Sequence, residues 1–254
     1  MKIENPYKNA EDKLLFAKVL DKYLAAEHSN ITTHTDFLDP VRCEMFLHTL
    51  DTHKDAWIIV KAYGGYDDAE RKKIVFHSKD DIITPITITY NQKFVSAPSH
   101  RDYLGAILGL GIDRGKIGDI RKSTTNAGAV VYVSHDIAHF ITNNLTQVGR
   151  ASVKAQAGAL LDGLDTIATT KRITVPSMRL DAVLGAALNL SRGKSSDLIE
   201  AEKVYVNWKI AKKTYEVAVG DTITIRGVGR TKILAQGGNS KKGRIVLEVG
   251  NSGK

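Results

Sequence analysis

Residues 178–230 read MRLDAVLGAALNLSRGKSSDLIEAEKVYVNWKIAKKTYEVAVGDTITIRGVGR, and the fold turns on how this stretch is read. Leu180, Val183, Leu184, Ala187 and Leu188 recur at helical spacing and make one apolar stripe. Ser191 suits the N-cap of a second helix, expected to run to about Val204. Arg192 and Lys203 are about three turns apart and are expected to share a face, with Leu198 and Ala201 opposite. Val204 to Val206 reads as a short strand, and Gly220-Asp221 turns the chain into a strand from Thr222 to Arg226. Two helices followed by a small sheet, with cations on one side, suit a module laid against a phosphate backbone.

The stretch resembles the alpha-L RNA-binding domain, named for the small-subunit ribosomal protein S-four. The matching residues are Arg179-Leu180-Asp181, Leu190-Ser191-Arg192, Lys194-Ser195, Val206-Asn207 and Val219-Gly220-Asp221. Most members have Gly after the Val-Asn pair, where this chain has Trp208. Val206-Asn207-Trp208-Lys209, with Arg226-Gly227-Val228-Gly229-Arg230, is similar to one branch, the YlmH family. The candidate RNA-binding residues are Arg179, Ser191, Arg192, Lys194, Ser195, Lys203, Asn207, Trp208, Lys209, Lys212, Lys213, Arg226 and Arg230. Arg179, Arg192, Lys194 and Lys203 are expected on phosphates or in grooves. Two readings of Trp208 stand open: its ring covers the small sheet, or it stacks on an RNA base.

Charge supports a polyanion partner. The 254 residues carry a net charge of +8. From residue 176 onward there are 14 Lys and Arg against 7 Asp and Glu, so +7 of that excess lies in the C-terminal third. Hydrophobic residues make up 43%, enough for packed cores. No apolar run approaches the roughly 18 residues of a membrane span. The N-terminus has no apolar signal region, and Cys43 is the only cysteine, which leaves no disulfide framework. A cytoplasmic protein is expected, with no membrane partner.

Upstream, residues 9–28 read as a helix capped by Asn9, and Asp39-Pro40 opens another. Cys43 on that helix reads as a small core residue. Strands are expected at 57–63, 74–76 and 82–90, then a capping box at Ser99 and Asp102 opening a helix to Leu110. Strands at 117–120 and 129–133, a helix from His135 to Val148 and a strand at 151–157 follow. This order suggests a split βαβ arrangement, ferredoxin-like or RRM-like. The run Ser99 to Ile112, with Arg114, Lys116, Ile117, Gly118, Asp119 and Ile120, resembles the YlmH middle domain. RRM sheets stack bases on aromatic residues; residues 129–133 offer only Tyr132. Gly158 to Ser177 reads as a connector with a strand at 173–175. Beyond Arg230, strands at 231–234 and 245–249 make a hairpin with a cationic turn, Gly237 to Gly243. That turn suits phosphate contact or plain solvation equally.

The expected architecture is α+β. A small helical N-terminal domain spans 1–55, an RRM-like middle domain with connector 56–176, and a C-terminal S4 (alpha-L) RNA-binding domain 177–254.

Several enzymatic patterns occur in part. Arg179-Leu180-Asp181 has the letters of the pseudouridine synthase triplet, but Asp181 suits a helix N-terminus better. His135 and His139 stand at i and i+4, with Asp136 where a zincin has Glu and no third ligand evident. Gly105, Gly109 and Gly111 lie in or at the end of a helix and make no dinucleotide loop. The expectation is a non-enzymatic RNA-binding protein with no metal and no cofactor, acting as a monomer. Resemblance to YlmH implies rRNA and tRNA ligands on the large ribosomal subunit. It also implies ribosome-associated quality control of stalled peptidyl-tRNA; relatives have links to cell division and photosystem assembly. The alternative is an RNA-modifying enzyme, of pseudouridine synthase or methyltransferase type, that uses the S4 domain for delivery. A protein-binding adaptor is a third class.

Overall fold

A computed structural model describes residues 3–29, 31–52, 57–67, 69–78, 81–93, 95–164, 169–225, 229–240 and 243–252, with backbone alone for Thr169, Lys209 and Ser252. The chain divides into two compact units, residues 1–165 and 166–254. It is a mixed helix and sheet protein.

The first unit opens with α1 (Ala10–Ser29). Asn9 caps it, its Oδ1 accepting from the Glu11 and Asp12 amides at 2.9 and 3.3 Å. After β1 (Thr33–His34) comes α2 (Pro40–Asp51), capped by Asp39, which accepts from the Arg42 amide at 3.1 Å. Strands β2 (Val60–Tyr63) and β3 (Lys73–Phe76) pair with β1 in the order β1-β3-β2. The helices bury Phe16, Tyr23, Phe46 and Leu50 against Ile58, Ile74 and Phe76. The sequence reading groups these two later strands with the middle domain. The structure instead pairs them with residues 33–34, because the apolar faces of α1 and α2 need a sheet to cover them. Cys43 is part of this core, and burial pushes its thiol up to about 12.

A five-stranded antiparallel sheet follows. It contains β4 (Ile83–Tyr90), β5 (Ile117–Lys122), β6 (Gly128–Ser134), β7 (Gln147–Val148) and β8 (Ala151–Ala157). Helices α3 (His100–Leu108) and α4 (His135–Asn144) complete it. The strand order β5-β6-β4-β8-β7 is the split βαβ arrangement with one added edge strand. The capping box at Ser99 and Asp102 is formed in both directions. α4 stops at Asn144 rather than Val148, because Gln147 and Val148 pair with Ser152 and Ala151.

One face of this sheet packs on α3 and α4 through Ile86, Ile88, Tyr103, Ile107, Val131 and Ile141. The other face is covered over its central strands. Tyr132 is buried against Tyr66, with ring centroids 4.7 Å apart, and Arg121 lies 4.4 Å over the Tyr66 ring. Thr87 Oγ1 donates to the Gly158 carbonyl at 2.6 Å and accepts from the Leu160 amide at 2.9 Å, which holds residues 158–164 across the strands. The part of this surface over β4 and β6 is therefore occupied by the protein itself, while Ser152, Lys154 and Gln156 of β8 stay exposed beside it.

The second unit begins with β9 (Thr169–Val175), longer than the strand expected at 173–175 because it pairs along the whole of the last strand. Helices α5 (Leu180–Leu188) and α6 (Arg192–Glu200) come next. Then come β10 (Val204–Val206), β11 (Lys209–Ile210), β12 (Thr222–Ile225), β13 (Gly229–Asn239) and β14 (Ile245–Ser252). The sheet order is β11-β10-β12-β13-β14-β9. Leu180, Val183, Leu184 and Ile199 pack on Val206, Ile223, Ile233 and Leu247.

α6 ends four residues short of the expected Val204. The Lys203 amide donates to the Leu198 carbonyl at 3.1 Å and the Glu202 amide to Ile199 at 3.0 Å, with Glu202 at φ 54°. This is a Schellman termination with glutamate where glycine is usual. Lys203 therefore lies beyond the helix and does not share a helical face with Arg192. Glu202→Gly is expected to stabilise this unit by about 0.5–1 kcal/mol, since the left-handed region costs an L-residue more than glycine. A shift in the urea midpoint at constant m checks it.

Candidate nucleic-acid interface

The unit boundary sharpens the charge asymmetry. Residues 166–254 hold 16 Lys and Arg against 7 Asp and Glu, a net +9; residues 1–165 hold 20 against 21, a net −1. The strongly basic partner is the helix-and-sheet unit.

Its cations gather where α5 and α6 begin. Arg179 occupies the N-cap position of α5 and makes a bidentate pair with Asp181, at 3.1 and 3.0 Å. The Arg192 guanidinium lies 3.5 Å from the same carboxylate with its side chain 69% exposed. Asp181 is buried, and its hydrogen bonds with Arg179 hold its carboxyl below the usual range. This pairing stabilises the fold above the ordinary carboxylate pKa, and the contribution is lost as pH falls through the depressed value. One carboxylate thus holds the Arg179 guanidinium by two hydrogen bonds and draws the exposed Arg192 guanidinium close, leaving net positive charge facing out. Ordering them beforehand lowers the entropic cost of gripping a phosphate. Both Asp181 oxygens accept from Arg179, so the carboxylate is engaged in orienting cations.

The other candidates separate into exposed cations and internal braces. Lys194, Lys203 and Lys212 are exposed, while Lys213 pairs with Glu200 at 3.2 Å. Ser191 Oγ caps α6 through the Lys194 amide at 3.3 Å. Ser195 is fully buried, and its hydroxyl donates to the Ser191 carbonyl at 3.2 Å, so it serves helix packing. Gly185 explains this: a Cβ there would stand 3.3 Å from Ser195 Oγ. Arg226 and the turn residues Lys241 and Lys242 lie outside the described residues, as does the Lys209 side chain.

Asn207 is a brace as well. Its Nδ2 donates to Asp221 Oδ1 at 2.7 Å, and its Oδ1 accepts from the Thr222 amide at 3.0 Å. Asp221 Oδ2 accepts from the Ala218 amide at 2.8 Å and the Tyr215 hydroxyl at 3.3 Å. The Val-Asn and Val-Gly-Asp signatures, thirteen residues apart from Val206 to Val219, thus meet and fix the sheet register.

Asn207 and Trp208 form the two-residue turn between β10 and β11, at φ 48° and 67°. Both values are positive, which defines the mirror-type hairpin turn that favours Asn-Gly. A bulky residue held there costs about 1–3 kcal/mol. Trp208 belongs neither to the buried cluster of this unit nor to the partly buried side chains packed on it. Its ring lies on Arg230, whose guanidinium carbon is 4.3 Å from the centroid. Trp208 and Arg230 are both partly buried, and such a contact returns about 0.5–2 kcal/mol according to how far it is desolvated, comparable to the lower part of the strain.

In the first unit, His135 Nδ1 is 2.8 Å from Thr84 Oγ1, and His139 is 3.2 Å from Asn143 Nδ2. Among the described residues no group of three or more His, Cys, Asp or Glu is placed to hold a metal. A shallow open groove lined by Thr89, Asn91, Lys93, Ser152 and Lys154 contains no carboxylate or imidazole. No helix among the described residues is long and apolar enough to cross a membrane.

Two helices packed on a sheet, with Arg179 and Arg192 paired to one carboxylate where they begin, suit the S4-domain RNA-binding class, and the S4 domain description matches residues 178–223. "YlmH, N-terminal" matches residues 11–80 and "Putative RNA-binding domain in YlmH" residues 77–161. The chain belongs to the YlmH family. It is 39% identical over 229 residues to "Ribosome-associated protein quality control protein P2" of Bacillus subtilis (strain 168), covering 84% of this chain and 86% of that protein. A solved structure, "Cell division protein ylmH from Streptococcus pneumoniae", aligns with a TM-score of 0.49 at 19% identity, over 63% of this chain and 98% of its own.

Proposed function

We propose that the chain is a non-enzymatic factor that binds rRNA and tRNA on the large ribosomal subunit during quality control of stalled peptidyl-tRNA. The observation that carries this reading is the preorganised Arg179–Asp181–Arg192 cluster on a unit of net charge +9. Arg192, Lys194, Lys203 and Lys212 meet phosphates, and Arg179 orients through Asp181. The name of the Bacillus subtilis relative supports the ribosomal setting. The factor acts as a monomer in the cytoplasm, where translating ribosomes are found.

Pelleting the full chain with purified large subunits, with and without peptidyl-tRNA, tests the proposal. Binding is expected to strengthen with peptidyl-tRNA and to fall steeply with salt, as counterion release requires. Absence of co-pelleting at low salt, or binding indifferent to salt, would overturn it.

A further inference from the structure

The outer face of the C-terminal sheet carries an arrangement distinct from the helix ends. Strand register sets Ile210, Tyr205, Thr224 and Arg230 in one row across β11, β10, β12 and β13. Lys232, two residues along β13, lies on the same face. Val204, Val206, Ile223 and Ile225 alternate with them and point into the core. Ile210 is 57% exposed, and the Trp208 ring closes the row by lying on Arg230.

The geometry points to this face as a site for an unpaired nucleobase, stacked on the Trp208–Arg230 pair with Lys232 on a neighbouring phosphate. The inference rests on the RNA-binding reading above and adds to it a ligand class, single-stranded RNA beside the segment gripped by the helix ends. Two observations carry it. The β10–β11 turn holds a strained tryptophan that the core does not use. Arg230 lies on that ring, and the same sheet face carries Tyr205, Ile210 and Lys232, an aromatic, aliphatic and cationic set that binds bases by their faces and backbone by charge. Stacking is tolerant of base identity, because every base has a π-face.

The test compares two RNA probes on the full chain, a blunt duplex and the same duplex with an unpaired extension. Trp208→Leu is expected to bind the extended probe about tenfold more weakly, equivalent to roughly 1.4 kcal/mol. Binding to the blunt probe and both salt slopes should be unchanged, since no charge is removed. Trp208→Phe should retain most of the affinity. Trp208→Gly, the residue the turn geometry favours, should lose affinity as Leu does while melting no lower than wild type. With Trp57 replaced by Phe, the remaining tryptophan emission should be quenched by the extended probe. Equal losses on both probes, no loss in the Leu variant, or a lowered melting temperature for Trp208→Gly would each overturn the stacking site. If Arg192→Glu weakens both probes while Trp208→Leu weakens neither, the platform alone fails. Wild type that binds neither probe defeats the RNA reading and the platform together.

Discussion

Reversing the charge at Arg192 and Lys194 together is expected to weaken binding to large ribosomal subunits by roughly a hundredfold or more at moderate salt. The plot of log affinity against log salt should become shallower by about 0.9 for each phosphate that is no longer neutralised. Both side chains are exposed in the first turn of α6, and neither belongs to the core. Glutamate at a helix N-terminus is favoured by the backbone dipoles, and the Ser191 cap survives the change. The circular dichroism spectrum should therefore hold while binding collapses, with the melting temperature falling only as far as the loss of the Arg192–Asp181 pair requires. Lys194→Glu alone, which touches no ion pair among the described residues, separates binding from that loss. Undiminished co-sedimentation would remove the helix ends from the interface.

How much of this is legible in the sequence depends on the range of the interaction. Caps at Asn9, Asp39, Ser99 and Ser191 are local, and each forms as read. The end of α6 departs from the sequence reading because Glu202 takes a left-handed conformation that sequence associates with glycine. Residues 60–63 and 73–76 join a different sheet from the one expected, because strand pairing with Thr33–His34 is a tertiary choice. The split βαβ order is readable from the alternation of periods, yet the covering of its outer face is not. Tyr66 and residues 158–164 have no pattern that announces where they pack.

The site divides the same way. Clustered cations and the departure at Trp208 stand out in the sequence. That Asn207 and Asp221 clasp each other depends on register, as does the outer row of Tyr205, Thr224 and Arg230. Lys232 and Tyr205 escape the sequence reading for that reason. The available signal is the alternation of Thr222, Thr224, Arg230 and Lys232 with Ile223, Ile225 and Ile233, which marks one face of a sheet. Ser195 matches the family pattern and is internal, so a motif residue can hold the fold without touching ligand.

The largest stability effect is expected in the first unit, from Asp119→Ala. Asp119 lies on β5, and its Oδ2 accepts from the Tyr66 hydroxyl at 2.9 Å and the Glu70 amide at 2.6 Å. Its Oδ1 accepts from the Arg71 amide at 3.1 Å. The Arg71 side chain then donates to the Ile117 and Phe37 carbonyls at 3.0 and 2.8 Å. One carboxylate thus ties the segment between β2 and β3 to the middle sheet and holds Tyr66 on Tyr132. Removing it strands a hydroxyl and two amide donors, each costing about 1–3 kcal/mol where water cannot replace the partner. A combined loss of about 3–5 kcal/mol is expected, a large part of the roughly 5–15 kcal/mol that holds a domain folded. Burial raises the Asp119 pKa, with Tyr66 and Arg71 opposing the rise. The folded unit therefore binds this proton more readily than the unfolded chain. Stability attributable to Asp119 should fall as pH climbs from the ordinary carboxylate value through the raised one, the reverse of a carboxylate whose pKa is depressed. Asp119→Asn should abolish that slope and lose less stability than alanine, because the amide oxygen still accepts. Urea midpoints of the wild type and both variants, taken across the acidic range, measure both effects. A wild-type midpoint that rises through that window while the Asn variant stays flat would show that the hydrogen bonds outweigh desolvation. An alanine variant as stable as wild type would mean that water satisfies the three donors and that this carboxylate does not clamp the two sheets together.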